Sequence, residues 1–128
     1  MTTRALRQLC DPYGLDPKLS GLECDGVSRV LSYVLAQHGI DHRLISGAVS
    51  WDGLWMPHFW IEASAWMIDY RLRMWFGPHG KLEPRSKLQP PQGIFRADRY
   101  RQLSYFHPQQ LPSMECRELF DILTTTFP

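Results

Sequence analysis

The chain has no CxxC pair, no internal repeat and no long apolar run, and each absence removes a class of protein. Its three cysteines, Cys10, Cys24 and Cys116, are an odd number without paired spacing. That argues against a disulfide framework and fits a reducing compartment. No apolar stretch approaches the roughly 20 residues that span a bilayer. The N-terminal Met1-Thr2-Thr3-Arg4-Ala5-Leu6-Arg7 has no apolar centre of signal-peptide type. A cytoplasmic protein with no membrane partner is therefore expected. Histidine, cysteine and carboxylate residues do not cluster at ligand spacing. A zinc site using Cys24 and His58 is thus not expected, and no cofactor is implied.

What is present is a globular composition. The 128 residues are 44% hydrophobic and 21% charged, enough for a single domain over residues 1–128 with one core. Net charge is only +1 but uneven: Arg71 to Arg101 holds eight basic residues against Glu83 and Asp98. A basic segment over 71–101 is either a solvated surface or a face for an acidic partner.

Local patterns divide the chain. Thr3–Cys10 reads as a short helix, followed by a turn through Asp11-Pro12-Tyr13-Gly14. Ser20-Gly21-Leu22-Glu23 has the S-x-x-E form of a capping box. Cys24, Val27, Leu31, Val34, Leu35 and His38 then share one helical face, and Gly39 is a natural stop. These signals predict a helix over 21–38, with His38 capping its end. Arg43–Val49 reads as a strand and Trp51–Pro57 as a loop. His58–Glu62 and Trp66–Tyr70 read as an antiparallel hairpin around Ala63-Ser64-Ala65. Gly77–Pro91 reads as a long loop, Gly93–Phe95 and Leu103–Phe106 as short edge strands. Pro112-Ser113 reads as a helix start, with Met114, Leu119, Phe120 and Leu123 as its apolar face.

Cys24 draws attention because a thiol attacks as thiolate and its free pKa is about 8.5. In the first turn of a helix, backbone N–H groups and the positive end of the macrodipole lower that value. Gly26 costs about 1 kcal/mol of helix propensity relative to Ala; room for a substrate backbone would be one reason to tolerate it. Taken alone, Cys24 is equally a small buried hydrophobe, and Cys10 and Cys116 read as structural thiols.

The downstream pair shifts the balance. His58 opens one strand and Asp69 closes the next. A base that activates a thiol needs a carboxylate to fix its tautomer and stabilise imidazolium. Pairing Ile61 with Trp66 would set His58 opposite Asp69 on one face. A one-residue slip would separate them, because it flips every side chain. The hairpin link must therefore be two or four residues, or carry a bulge.

The cysteine at a helix start, Gly39-Ile40, the stretch His58-Phe59-Trp60-Ile61-Glu62 and the closing Ile68-Asp69 together resemble the transglutaminase-like branch of papain-type cysteine enzymes. The resemblance covers roughly residues 20–70. The order Cys, His, Asp is similar to the transglutaminase core and to arylamine N-acetyltransferases. Asp25-Gly26 follows the cysteine where many transglutaminase-like proteins carry a Trp, and the acetyltransferases' double glycine before it is missing. The resemblance implies an α+β fold, a helix bearing Cys24 packed on a small antiparallel sheet bearing His58 and Asp69, and a catalytic triad.

The expected activity is acyl transfer or hydrolysis through a thioester, on a peptide or protein substrate. The small size favours hydrolysis or deamidation over two-substrate transfer. Trp51 and Trp55 are expected to wall a substrate channel or to pack simply, and Trp60 to pack or join them. Arg71 and Arg73, at strand period after Asp69, could bind an acidic substrate group. The rival reading is a non-catalytic binding protein that uses the basic segment to contact nucleic acid or an acidic protein.

Overall fold

The computed structural model describes residues 2–76 and 88–125. Four helices and five strands follow in the order α1 (Thr3–Gly14), α2 (Cys24–Gln37), β1 (Arg43–Trp51), β2 (Leu54–Ala63), β3 (Trp66–Asp69), α3 (Arg73–Phe76), β4 (Gly93–Phe95), β5 (Leu103–Leu111) and α4 (Arg117–Thr125). The strands form one antiparallel sheet in the order β4-β3-β2-β1-β5. The fold is mixed α+β, as expected. Among the described residues no helix is long and apolar enough to cross a membrane.

Alternation along the strands sorts the core into two clusters. Leu44, Ile61, Ile68 and Ile94 pack with Leu6 and Cys10 of α1 and with Val27, Leu31 and Leu35 of α2. Their neighbours Ile45, Trp60, Met67 and Phe95 join Val49, Trp51, Leu72, Phe76 and Leu103 in the second cluster. A sheet covered on both faces explains why these strands read as continuous apolar runs.

Several boundaries differ from expectation. Helix α1 runs through Pro12 to Gly14, so the predicted turn at 11–14 is helical. Proline near the helix end removes one N–H donor and leaves the earlier turns intact. Helix α2 begins at Cys24, not at residue 21. Pro17–Leu19 forms a 3-10 turn instead, and the Ser20 hydroxyl donates to Pro17 O at 2.8 Å rather than capping. Its far end is as predicted. Gly39 has φ 66°, and Gly39 N–H and Ile40 N–H bond to Ala36 O and Leu35 O at 3.1 and 2.9 Å, the pattern of a Schellman stop. His38 Nδ1 donates to Val34 O at 2.9 Å, as its capping role required.

The predicted loop over Trp51–Pro57 is a hairpin joining β1 to β2. Asp52 and Gly53 take φ 53° and 84°, the left-handed pair of a type I′ turn. Both strands therefore extend past their predicted ends, and Pro57 pairs opposite Ala48. β5 is longer than predicted, and the Pro112-Ser113 helix start is displaced to Arg117. Phe120 of α4 stacks on Tyr33 at 4.4 Å. Most of the loop predicted over Gly77–Pro91 lies outside the described residues.

Gly47, opposite His58, sits where β1 and β5 change register between Ser46 and Ala48. A Cβ there would lie 2.7 Å from Trp60 Cη2 and 2.9 Å from the Phe106 carbonyl oxygen. A ring packed in the core and a backbone carbonyl cannot both yield. Gly47→Ala is expected to destabilise the fold by about 2 kcal/mol, read as a lower urea midpoint at unchanged slope.

Candidate active site

The start of α2, the hairpin β2–β3 and the residues after β3 converge on one imidazole. Cys24 is the first residue of α2 and is 6% exposed. Glu23 before it is extended and makes no side-chain cap. The predicted capping box is thus absent, and the positive end of the helix is left to the cysteine and its own first-turn N–H groups. A Cβ on Gly26 would touch Leu22 at 3.1 Å. Packing of Leu22 over the helix start accounts for this glycine without a substrate backbone.

His58 and Asp69 are buried. The strands pair Ala63 with Trp66 and Ile61 with Ile68 across a two-residue link, in which Ser64 takes φ 55°. Relative to the direct opposition expected, the register is displaced by two residues. An even displacement preserves the face, so His58 and Asp69 are diagonal neighbours on the same side. His58 Nε2 donates to Asp69 Oδ2 at 2.8 Å and Oδ1 at 3.0 Å.

Asp69 is further held by the Arg71 N–H on Oδ1 at 3.2 Å and the Tyr105 hydroxyl on Oδ2 at 2.8 Å. Burial first, and then the Asp69 charge, raises Tyr105 well above its ordinary value, so its hydroxyl remains a donor. Burial opposes a charged His58. The Asp69 charge and hydrogen bond outweigh it, Cys24 acts in the same direction, and His58 is pushed up to about 10. Cys24 and Asp69 thus act on the same ring. Cys10 is different: burial, then Asp11, pushes it up to about 12, the behaviour of an inert structural thiol.

Trp75, on α3, donates its indole N–H to His58 Nδ1 at 3.0 Å. That contact requires a bare Nδ1 and therefore a neutral ring with its proton on Nε2. Asp69 favours the imidazolium, which has no lone pair to offer. Charging His58 and releasing Trp75 are therefore one event, and it turns an Nδ1–H toward other acceptors.

The remaining predicted residues take other places. Trp51 and Trp60 are buried in the second cluster, and Trp60 donates to Glu62 Oε2 at 3.1 Å. Trp51 Nε1 is the buried side-chain nitrogen without a partner among the described residues. Trp55 is 62% exposed on β2. Arg71 and Arg73 do not continue a strand face, because β3 ends at Asp69 and α3 begins at Arg73. The Arg71 guanidinium donates to the carbonyls of Leu22, Gly14, Tyr70 and Leu19 at 2.7 to 3.0 Å. Arg73 donates to Pro90 O at 2.8 Å. No group of three or more His, Cys, Asp or Glu able to hold a metal occurs among the described residues.

Sequence reasoning missed Tyr105 and Trp75. Tyr105 reaches the site from β5 and Trp75 from α3, and neither belongs to a local pattern.

Two outcomes are expected. Folding raises His58 from its ordinary 6.5 to about 10, so the stability it contributes is whole below the first value and is lost as pH rises through the second. Urea midpoints across that window should fall more steeply for the wild type than for His58→Gln; parallel slopes would mean the ring is uncharged in the fold. Trp75→Phe keeps a ring and removes the indole donor. Alkylation of Cys24 at neutral pH should then become several-fold faster, and an unchanged or slower rate would show that the indole does not compete for Nδ1.

No family model, curated protein or solved structure matches the chain.

Proposed function

We propose that this protein is a cysteine-dependent acyl-transfer enzyme with a transglutaminase-like, papain-type core. Cys24 is its nucleophile, His58 its acid and base, and Asp69 the group that orients His58. The observation that carries the reading is the buried Nε2–Oδ2 hydrogen bond of 2.8 Å, made on an imidazole whose proton affinity Cys24 also raises. A buried thiol–imidazole–carboxylate chain is costly to assemble without a use for the charge separation it permits.

The Cys24 proton passes to His58 Nδ1, and Asp69 stabilises the imidazolium at Nε2. The thiolate attacks an amide carbonyl, forming a C–S bond and an oxyanion. The backbone N–H of Cys24, in the first turn of α2, donates to that oxyanion, an interaction typically worth about 3–4 kcal/mol. When the C–N bond breaks, the amine leaves with the proton from Nδ1, and a thioester remains. Water then attacks while His58 takes its proton. The C–S bond breaks, the acid is released and Cys24 recovers its proton. An amine in place of water would give transfer instead of hydrolysis. The substrate class is a peptide bond or a side-chain amide.

The test is the pH dependence of iodoacetamide labelling in the folded protein, mapped by mass spectrometry beside His58→Ala. Cys116 is exposed and Cys10 buried, so the chain carries its own reference thiols. Cys24 is expected to label faster than Cys116 on the acid side of neutrality and to slow at least tenfold in the variant, on the usual scale of base assistance. If Cys24 instead follows an ordinary thiol profile, indifferent to His58→Ala, the proposal falls.

A further inference from the structure

A cavity of about 300 Å³ lies between the start of α1 and the β4 edge of the sheet, and Arg7, Arg96, Arg99, Trp66, Phe95 and Tyr100 line it. Trp66 stands at the opposite end of β3 from Asp69. It also packs against the helix-side cluster, so the cavity is separate from the cysteine site.

Its lining is basic. Arg29, Arg43 and Arg117 each hold a carboxylate at 2.6 to 3.0 Å, whereas among the described residues no acidic side chain lines this cavity. Among the described residues Arg7 and Arg99 have no ion-pair partner, and Arg96 has only the exposed Asp98 at 3.3 Å. Helix α1 adds to the excess. Its first turn contains no acidic residue, although Asp or Glu would be favoured beside the positive end of the dipole, and Arg4 and Arg7 stand near that end instead. Three guanidinium groups set against one exposed carboxylate leave the cavity with an excess of positive charge, which a bound anion would offset.

The walls narrow the anion's identity. Phe95 and Tyr100 meet edge to face at 5.8 Å, and Trp66 is half-buried beside them. Aromatic faces and guanidinium planes both stack on flat rings. Three arginines suit a dianionic phosphate better than a single carboxylate, because each guanidinium can engage oxygens in a forked geometry. The volume, at the lower end of the usual range for ligand pockets, fits one ring and one anionic group.

We infer that this cavity binds a small phosphate monoester carrying a flat ring, of the size and chemistry of a nucleoside monophosphate. It also gives a use to the basic 71–101 segment, of which Arg96 and Arg99 are part.

The test is calorimetric titration and thermal melting of the full chain with adenosine monophosphate, and separately with inorganic phosphate and adenosine. Adenosine monophosphate should bind and raise Tm, inorganic phosphate should bind more weakly, and adenosine should leave Tm unchanged. Affinity should fall about tenfold in Arg99→Gln and in Arg7→Gln, one charged contact each. It should weaken with salt and be unchanged in Cys24→Ala. Four outcomes would overturn the assignment: no binding at millimolar nucleotide, binding that survives both arginine substitutions, binding lost in Cys24→Ala, or a single-stranded oligonucleotide that outcompetes the mononucleotide.

Discussion

The geometry of the site depends on the Arg71 guanidinium. It bonds to four carbonyl oxygens, three of them from Gly14 at the end of α1 and from Leu19 and Leu22 in the segment that leads into α2. Arg71 itself follows Asp69 by two residues, and its N–H bonds to Asp69 Oδ1. One side chain therefore fixes the approach of the cysteine-bearing helix to the carboxylate-bearing strand. A lysine could not reproduce this, because a compact ammonium cannot spread its donors over four acceptors in a plane. Burial lowers the proton affinity of Arg71, and the nearby Asp69 and Cys24 charges oppose that effect. The same cation thus braces the backbone and lies close to both Asp69 and Cys24.

Around this brace the polar groups form a closed chain. Tyr105 and the Arg71 N–H hold Asp69, Asp69 holds His58, and His58 is met on its other nitrogen by Trp75. The ring plane is also set by packing, since Trp60 lies 6.3 Å from His58 at an interplanar angle of 19° and meets Tyr105 at 4.6 Å. Two chemical demands compete for one nitrogen. The resting hydrogen bond favours the neutral ring, whereas Asp69 and Cys24 favour the charged one. The balance between them decides the charge on His58.

Much of this was legible in the sequence, for identifiable reasons. Cys24, His58 and Asp69 could be grouped because strand parity survives any even error in register, so the displaced hairpin still brings two of them together. The stop at Gly39 and the capping role of His38 rest on local backbone chemistry and were readable as such. The start of α2 was not. Ser20 and Glu23 have the right spacing for a capping box, but Pro17 sets a 3-10 turn that uses the Ser20 hydroxyl first. The turn at Asp52-Gly53 carried a clear hairpin signal, masked by aromatic neighbours that suggested an exposed loop. Arg71 looked like a substrate contact at strand period, and only the tertiary fold reveals the carbonyls around it. Tyr105 joins Asp69 across a separation of 36 positions, and no local pattern encodes that distance.

β5 lies at one margin of the sheet with β1 as its only neighbour in the strand order. Nine residues of exposed strand would ordinarily invite a second chain to add on and propagate aggregation. Here the ladder is interrupted where the register shifts opposite Gly47. His107 takes φ 53° at that point, and Pro108 follows it without an N–H to offer. The irregularity that makes room around Trp60 therefore also leaves the longest open edge of the sheet a poor template for self-assembly.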